Sequence, residues 1–268
     1  MSNREGYFVF FKPGSRGRLF GNIIYKLINS IQSNFPISQY NSAHLYIDEI
    51  KLDFAMKSYN DVRTFATSTS IDDEVPVVVS HLYPEEGIEE FSKTTKKGII
   101  LINIKKKNIP EIHLNAAIKN IFPILRQKID NVTITEKDAK LVEMYYNQYL
   151  KITNRELDTR VLTDKETMKA FLKFLTSDYY VEKHSLYWKQ FIDNPISESD
   201  QVFRIEYDEL SKKNEIGQYT TLLKLSDWLG VEYNDDVHKI YTEYEEGQIK
   251  LFEKYCPWFL TGDENEPR

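Results

Sequence analysis

The chain has 268 residues and a formal charge of −6, with 41% hydrophobic and 28% charged residues and an unusual 18 Tyr and 15 Phe. Such a length holds a substantial core, and the composition excludes a disordered chain outside a solvated tail at 263–268. The negative balance argues against general attraction to nucleic acid, so an anionic ligand has to be met by a local basic pocket, and the single cysteine, Cys256, excludes both a disulfide framework and a multi-cysteine zinc site.

The first residues run from Met1 to Gly6 into an apolar stretch too short for a signal peptide or a membrane span, so the expectation is a soluble, cytoplasmic protein without a membrane span. Tyr7-Phe8-Val9-Phe10-Phe11 is apolar throughout, as in a strand buried on both faces. A basic, glycine-containing turn follows, Lys12-Pro13-Gly14-Ser15-Arg16-Gly17-Arg18-Leu19. Beyond it Ile23, Ile24, Leu27, Ile28 and Ile31 recur at helical spacing within Asn22 to Gln32. Glycines let backbone amides approach an oxyanion, and a helix start adds a positive dipole end. A phosphate or sulfate site is therefore one reading of this turn, and an ordinary strand-to-helix turn with solvated cations is the other.

Ser42 to Phe54 shows mixed periodicity and is left unplaced. Val75 to His81 reads as a short strand with His81 at its end, and Gly98 to Ile104 as a buried strand running into Lys105-Lys106-Lys107. From Leu114 to Leu175 the apolar spacing is mostly helical, with a break and capping segment at Asn131 to Glu136. Gln201 to Glu206 predicts another strand, followed by a helix carrying Leu222, Leu225 and Leu229. Strands separated by helices predict an α/β fold: a three-layer sandwich with a mainly parallel sheet and helices on both faces, forming one domain over 1–262. Ligands of such folds collect at the carboxyl ends of the strands, where the basic turn, His81 and the lysine run all fall.

The turn lacks the G-x-x-x-x-G-K-S/T signature of nucleotide hydrolases, because no Ser or Thr follows a loop lysine to hold magnesium. In four ordered places the chain instead resembles sulfotransferases that use 3′-phosphoadenosine-5′-phosphosulfate (PAPS). Lys12 to Leu19 resembles that family's 5′-phosphosulfate loop, although here the lysine precedes the proline and Arg16-Gly17-Arg18 replaces Gly-Thr-Thr. Val77 to Leu82 resembles the family's Lys-Thr-His-Leu-Pro strand end. Ile99 to His113 stands where the family binds the 3′-phosphate, with Lys105 in place of its arginine and His113 in place of its serine. Val202 to Leu210, with the later Leu225 to Gly230, resembles the Arg-Tyr-Glu-Asp-Leu segment and the helix ending Phe-Leu-Gly.

The resemblance covers 7–32, 75–113 and 184–232 and implies a nucleotide-binding fold of the P-loop type. It implies metal-free transfer of a sulfuryl group from PAPS to a hydroxyl or amine of a small molecule or glycan. His81 would be the base for the acceptor proton. Lys12 or a loop arginine would stabilise charge on the bridging oxygen, and the amides of Gly14 to Gly17 would hold the 5′-phosphate. The implied cofactor residues are thus Lys12, Pro13, Gly14, Ser15, Arg16, Gly17, Arg18, Leu19, Lys105 and His113. The acceptor side is placed in the helical region near 114–190. Departures at the loop and at Lys105 and His113 keep open a second reading, a non-catalytic binding or interaction protein that keeps the fold but has lost the cofactor site. A nucleotide kinase is a third, which the missing Ser or Thr disfavours.

The bland readings stand beside these. The alternative for His81 is a strand-end histidine bonded to backbone, and for Lys105 to Lys107 a solvated run of charge. His44, His113 and His238 show no metal-ligand spacing, so no metal is inferred. Tyr179, Tyr180, His184, Tyr187 and Trp188 read as packing, and Arg204 with Glu206 as a structural pair.

Overall fold

A computed structural model of the chain describes residues 6–12, 14–29, 44–47, 50–53, 75, 77–80, 83–84, 86–120, 123–124, 127, 135–136, 170, 177–179, 190–210 and 214–255. His81, Pro13, Cys256, His184, Tyr187 and Trp188 lie outside these residues. The chain divides into two compact units, Met1–Lys105 with Leu186–Glu245 and Lys106–Ser185 with Glu246–Arg268.

The first unit is built on β1 (Tyr7–Phe10), β2 (His44–Ile47), β3 (Ile50–Asp53), β4 (Val77–Ser80), β5 (Gly98–Asn103) and β6 (Val202–Glu206). They form one sheet in the order β3-β2-β4-β1-β5-β6. β4, β1, β5 and β6 run parallel. β1, β4 and β5 are buried along their whole length, as their apolar sequences predict, because a strand covered on both faces needs no alternation, whereas β6 carries the half-buried Arg204 and Glu206. The unplaced stretch supplies the antiparallel pair β2 and β3, with β2 antiparallel to β4. The fold is α/β with a four-stranded parallel segment inside a mixed sheet.

The helices with described bounds are α1 (Gly17–Asn29), α2 (Ile88–Thr94), α3 (Ile109–Asn120), α4 (Glu215–Leu229) and α5 (Asp235–Tyr255). In α1 Leu19, Phe20, Ile23, Ile24 and Leu27 are buried, the stripe that the spacing predicts, and the helix begins five residues earlier than Asn22. On β1, Phe8 and Phe10 stack 5.7 Å apart, and both meet the edge of Phe91 of α2, at 5.5 and 5.8 Å. Tyr7 meets Trp228 of α4 at 5.9 Å. Asn214 caps α4 by accepting from the Gly217 amide at 2.9 Å.

The join between β1 and α1 is close. A β-carbon added to Gly17 would lie 1.8 Å from the Phe11 ring. Gly17→Ala should therefore destabilise the unit by about 1–3 kcal/mol through overpacking. Denaturant unfolding of the single variant and of Gly17→Ala with Phe11→Leu checks this, because the smaller side chain should return part of the loss.

Strand order fixes where the candidate site lies in the sheet. From β1 the chain proceeds to β4 on one side, whereas β5 leads to β6 on the other, so the direction of winding changes between β1 and β5. Crevices at such switch points, outside the carboxyl ends of the strands, are the ligand sites of open α/β sheets. The segment after β1 begins at Phe11 and the one after β5 at Ile104. β1 and β4 also end level, Phe10 opposite Ser80, and the Phe11 amide donates to the Ser80 carbonyl at 3.1 Å.

Candidate functional site

The basic turn is compact. The Lys12 carbonyl accepts from both the Ser15 amide, at 3.0 Å, and the Ser15 hydroxyl, at 2.7 Å. The third position of this four-residue turn is Gly14, with φ 92°, where a type II turn requires the left-handed region. The Ser15 amide, expected among those that hold a phosphate, is thus engaged within the loop, and Ser15 is buried.

Lys12 is buried, 4% exposed, with Nζ 5.8 Å from the centroid of Phe191. Phe191 stands edge-on to Tyr83 at 5.4 Å, and Tyr83 lies 6.3 Å from Phe10. Removal of the ammonium from water lowers the Lys12 pKa to about 7 from an ordinary 10.5. An amine that changes protonation near neutrality at the carboxyl end of the central strand is suited to meet a developing or bound negative charge.

Arg16 behaves differently from the solvated loop cation that the sequence suggests. It has φ 66°, is buried, and forks onto Glu245 of α5, with Nε donating to Oε1 at 2.8 Å and Nη2 to Oε2 at 3.2 Å. Its guanidinium carbon stands 5.0 Å from the centre of the Tyr207 ring. Burial disfavours its charge, but Tyr207, Tyr241 and Glu245 outweigh that and hold the arginine above its ordinary value. A non-glycine residue in the left-handed region persists where its surroundings over-determine it, and this bidentate pair does so. Of the other loop residues, Leu19 is in the core and Arg18 is half-buried on α1.

At the end of β5, Lys105 is exposed and donates to Asp208 at 3.0 Å, which raises its pKa through that hydrogen bond and the charge beside it. Lys106 and Lys107 are exposed, and Lys106 is paired with Asp178. The solvated reading of this run fits those positions. His113 lies half-buried on α3 of the second unit. Arg204 and Glu206 form the expected pair, Nε to Oε1 at 2.5 Å.

Sequence reasoning missed Asn103, Asn194, Phe191, Tyr83 and Glu245. Asn103, the last residue of β5, donates from Nδ2 to Glu206 at 2.9 Å and accepts the Asn194 amide on Oδ1 at 2.9 Å. A polar residue closing an otherwise apolar strand was the available signal for it. Glu245 stands four residues beyond Tyr241 in a helix whose buried Val237, Ile240 and Tyr241 show helical spacing, and that was its signal. Nothing in the local sequence marks Asn194 or Phe191.

Among the described residues no group of three or more His, Cys, Asp or Glu is placed to hold a metal ion, and no described helix is long and apolar enough to cross a membrane. No family model matches the chain, and no solved structure matches it. It is similar to "Uncharacterized protein 050L" of Invertebrate iridescent virus 6, with 25% identity over 218 residues. That alignment takes in 78% of this chain and 19% of the viral protein, so the chain spans about a fifth of the length of the curated relative it matches.

Proposed function

We propose that the chain binds a phosphorylated or sulfated small molecule at the turn after β1, and that it is a sulfotransferase using PAPS. The observation that carries this reading is the buried Lys12 at the carboxyl end of the central parallel strand, beside the switch point between β1 and β5. Sulfuryl transfer moves an SO₃ group from a phosphate oxygen to an acceptor oxygen or nitrogen, so the acceptor loses a proton and the leaving phosphate gains charge. Lys12 stabilises that charge. His81, which follows β4 in sequence, takes the acceptor proton, in keeping with the family resemblance. The acceptor is a hydroxyl or amine of a small molecule or glycan.

The finer fold reading belongs with this proposal: a P-loop-type sandwich with helices on both faces of the sheet. Successive side chains of a strand point to opposite faces. Contacts of Phe8 and Phe10 with α2 and of Tyr7 with α4 support layers on either side.

A second reading has its own support. Arg16 is matched by Glu245 and the Ser15 amide by the Lys12 carbonyl, so two donors that the family would turn on the cofactor are turned inward. A non-catalytic binding or interaction protein that keeps the fold but has lost the cofactor site fits that arrangement. Incubation with PAPS and a panel of phenol, sugar and amine acceptors separates the two. The enzyme reading expects transfer that His81→Ala abolishes while affinity for adenosine 3′,5′-bisphosphate stays within about twofold. Equal loss of both would make His81 structural, and absence of adenosine 3′,5′-bisphosphate binding would favour the second reading. Magnesium-dependent ATP binding would favour the kinase instead.

A further inference from the structure

The dryness of Lys12 depends on a segment far from it in sequence. Residues 190–196 return to the end of β5 through two backbone bonds, Ile104 amide to Phe191 carbonyl at 2.8 Å and Asp193 amide to Ile104 carbonyl at 2.9 Å. Phe191 is fully buried and presents its ring to the Lys12 ammonium. Immediately beyond, the chain turns at Asp193, a non-glycine residue with φ 46°. Such a conformation is unfavourable and has to be held by neighbouring contacts.

Asn194 supplies those contacts from all four of its polar atoms, and it is itself buried. Its amide donates to Asn103 Oδ1 at 2.9 Å, and its carbonyl accepts from Arg204 Nη1 at 2.5 Å. Its side-chain Nδ2 donates to the Gln190 carbonyl at 2.6 Å and to the Tyr83 hydroxyl at 3.0 Å, while Oδ1 accepts from the Ile196 amide at 3.0 Å. The fastening therefore reaches β5, β6 and the stretch after β4 at once. Tyr83 is held from both sides, since its hydroxyl takes the Asn194 bond and its ring takes the edge of Phe191.

We propose that Asn194 is a positioning residue for Lys12: it fastens the 190–196 segment so that Phe191 covers the ammonium and keeps it out of water. The proposal rests on the reading of Lys12 as the residue that meets the anion. Asn194 touches neither Lys12 nor a ligand in this role and acts through Phe191 and Tyr83. Among the described residues the other ionisable groups about these elements include Tyr83, whose pKa burial raises, Glu89, whose charge acts on Tyr83, Asp193 of the segment itself, the Arg204–Glu206 pair that bonds Asn194 and Asn103, and Arg16 of the same loop with its partner Glu245. Burial is the cause that acts on Lys12, so loosening the cover should return it toward ordinary lysine behaviour.

Trace acetylation of the intact protein from pH 5 to 10.5, with each lysine quantified by mass spectrometry, reads the Lys12 midpoint directly. The wild type should show a midpoint near 7. Asn194→Ala should raise it by about one pH unit or more and increase the reactivity of the neutral amine. Tyr83→Phe, which keeps the ring and removes only the hydroxyl, should shift it less in the same direction, and this variant decides the matter if Asn194→Ala does not fold. Trp228→Phe, which loses a bond to the Ser199 carbonyl elsewhere in the unit, should leave the midpoint unchanged. One midpoint shared by wild type, Asn194→Ala and Tyr83→Phe would overturn the proposal, as would an equal shift in Trp228→Phe. Failure of adenosine 3′,5′-bisphosphate to slow Lys12 acetylation would overturn the cofactor reading and leave the positioning role standing.

Discussion

Glu245→Ala should lower the stability of the fold by about 3–5 kcal/mol, the loss expected when one partner of a buried ion pair is removed and the other charge is left in place. Arg16 and Glu245 are 4% and 7% exposed, and two hydrogen bonds join them, so water cannot substitute for the missing carboxylate without opening the packing around Phe20, Tyr207 and Tyr241. The arginine has no neutral form to retreat into, because its environment holds it protonated. Replacing both partners with apolar side chains, Arg16→Met with Glu245→Leu, should recover most of the loss, since apolar pairs of similar volume commonly match a buried ion pair in stability. Denaturant unfolding of the two singles and the double checks this. Additive losses in the double variant would show that each residue acts through separate contacts.

Lys12→Met should do the opposite and stabilise the fold, most strongly at low pH. The folded pKa of about 7 lies below the ordinary 10.5. Below pH 7 the amine is protonated in both states, and the full cost of burying the charge is present. Between 7 and 10.5 the unfolded chain binds a proton that the folded chain does not, so wild-type stability rises with pH. Above 10.5 both states are neutral and the cost has gone. The variant should therefore exceed the wild type by on the order of 4 kcal/mol at pH 6, with the advantage shrinking as pH rises through that window. Unfolding measured at pH 6, 8 and 10 tests the sign, and parallel curves for the two proteins would refute a dry lysine. A residue that costs stability where the sheet's winding reverses fits a functional charge better than a packing one.

β1, β4 and β5 were legible because each is a short apolar run, and burial on both faces produces that pattern directly; β6, with Arg204 and Glu206 between its apolar residues, was legible as a short strand as well. β2 and β3 were not. Their connection is Asp48-Glu49, without the Asn-Gly or Gly-containing pairs that signal a tight hairpin. Helix α1 was legible in its apolar stripe but not in its start, since Gly17-Arg18 carries no capping residue and the helix begins against the Phe11 ring. The turn after β1 was correctly located, yet the fate of its cations was hidden. Arg16 is buried by a carboxylate 229 residues away, and Lys12 is dried by a phenylalanine in a segment without regular structure. Such long-range pairings leave no periodic trace in a single sequence. Lys105 illustrates the converse, since an exposed lysine paired with a nearby acid is the ordinary fate of a charged run, and Lys105 sits so beside the half-buried Asp208.

The central claim is that Lys12 meets the anionic group of a nucleotide. Calorimetric titration with adenosine 3′,5′-bisphosphate at pH 8, in two buffers of different ionisation enthalpy, tests it most directly. A bound anion favours the ammonium, so the lysine, mostly neutral in the free protein at that pH, should take up a proton. The account predicts binding with net uptake approaching one proton per ligand in the wild type, and loss of both in Lys12→Met. No binding at millimolar nucleotide, or equal affinity in the two proteins without proton uptake, would contradict it.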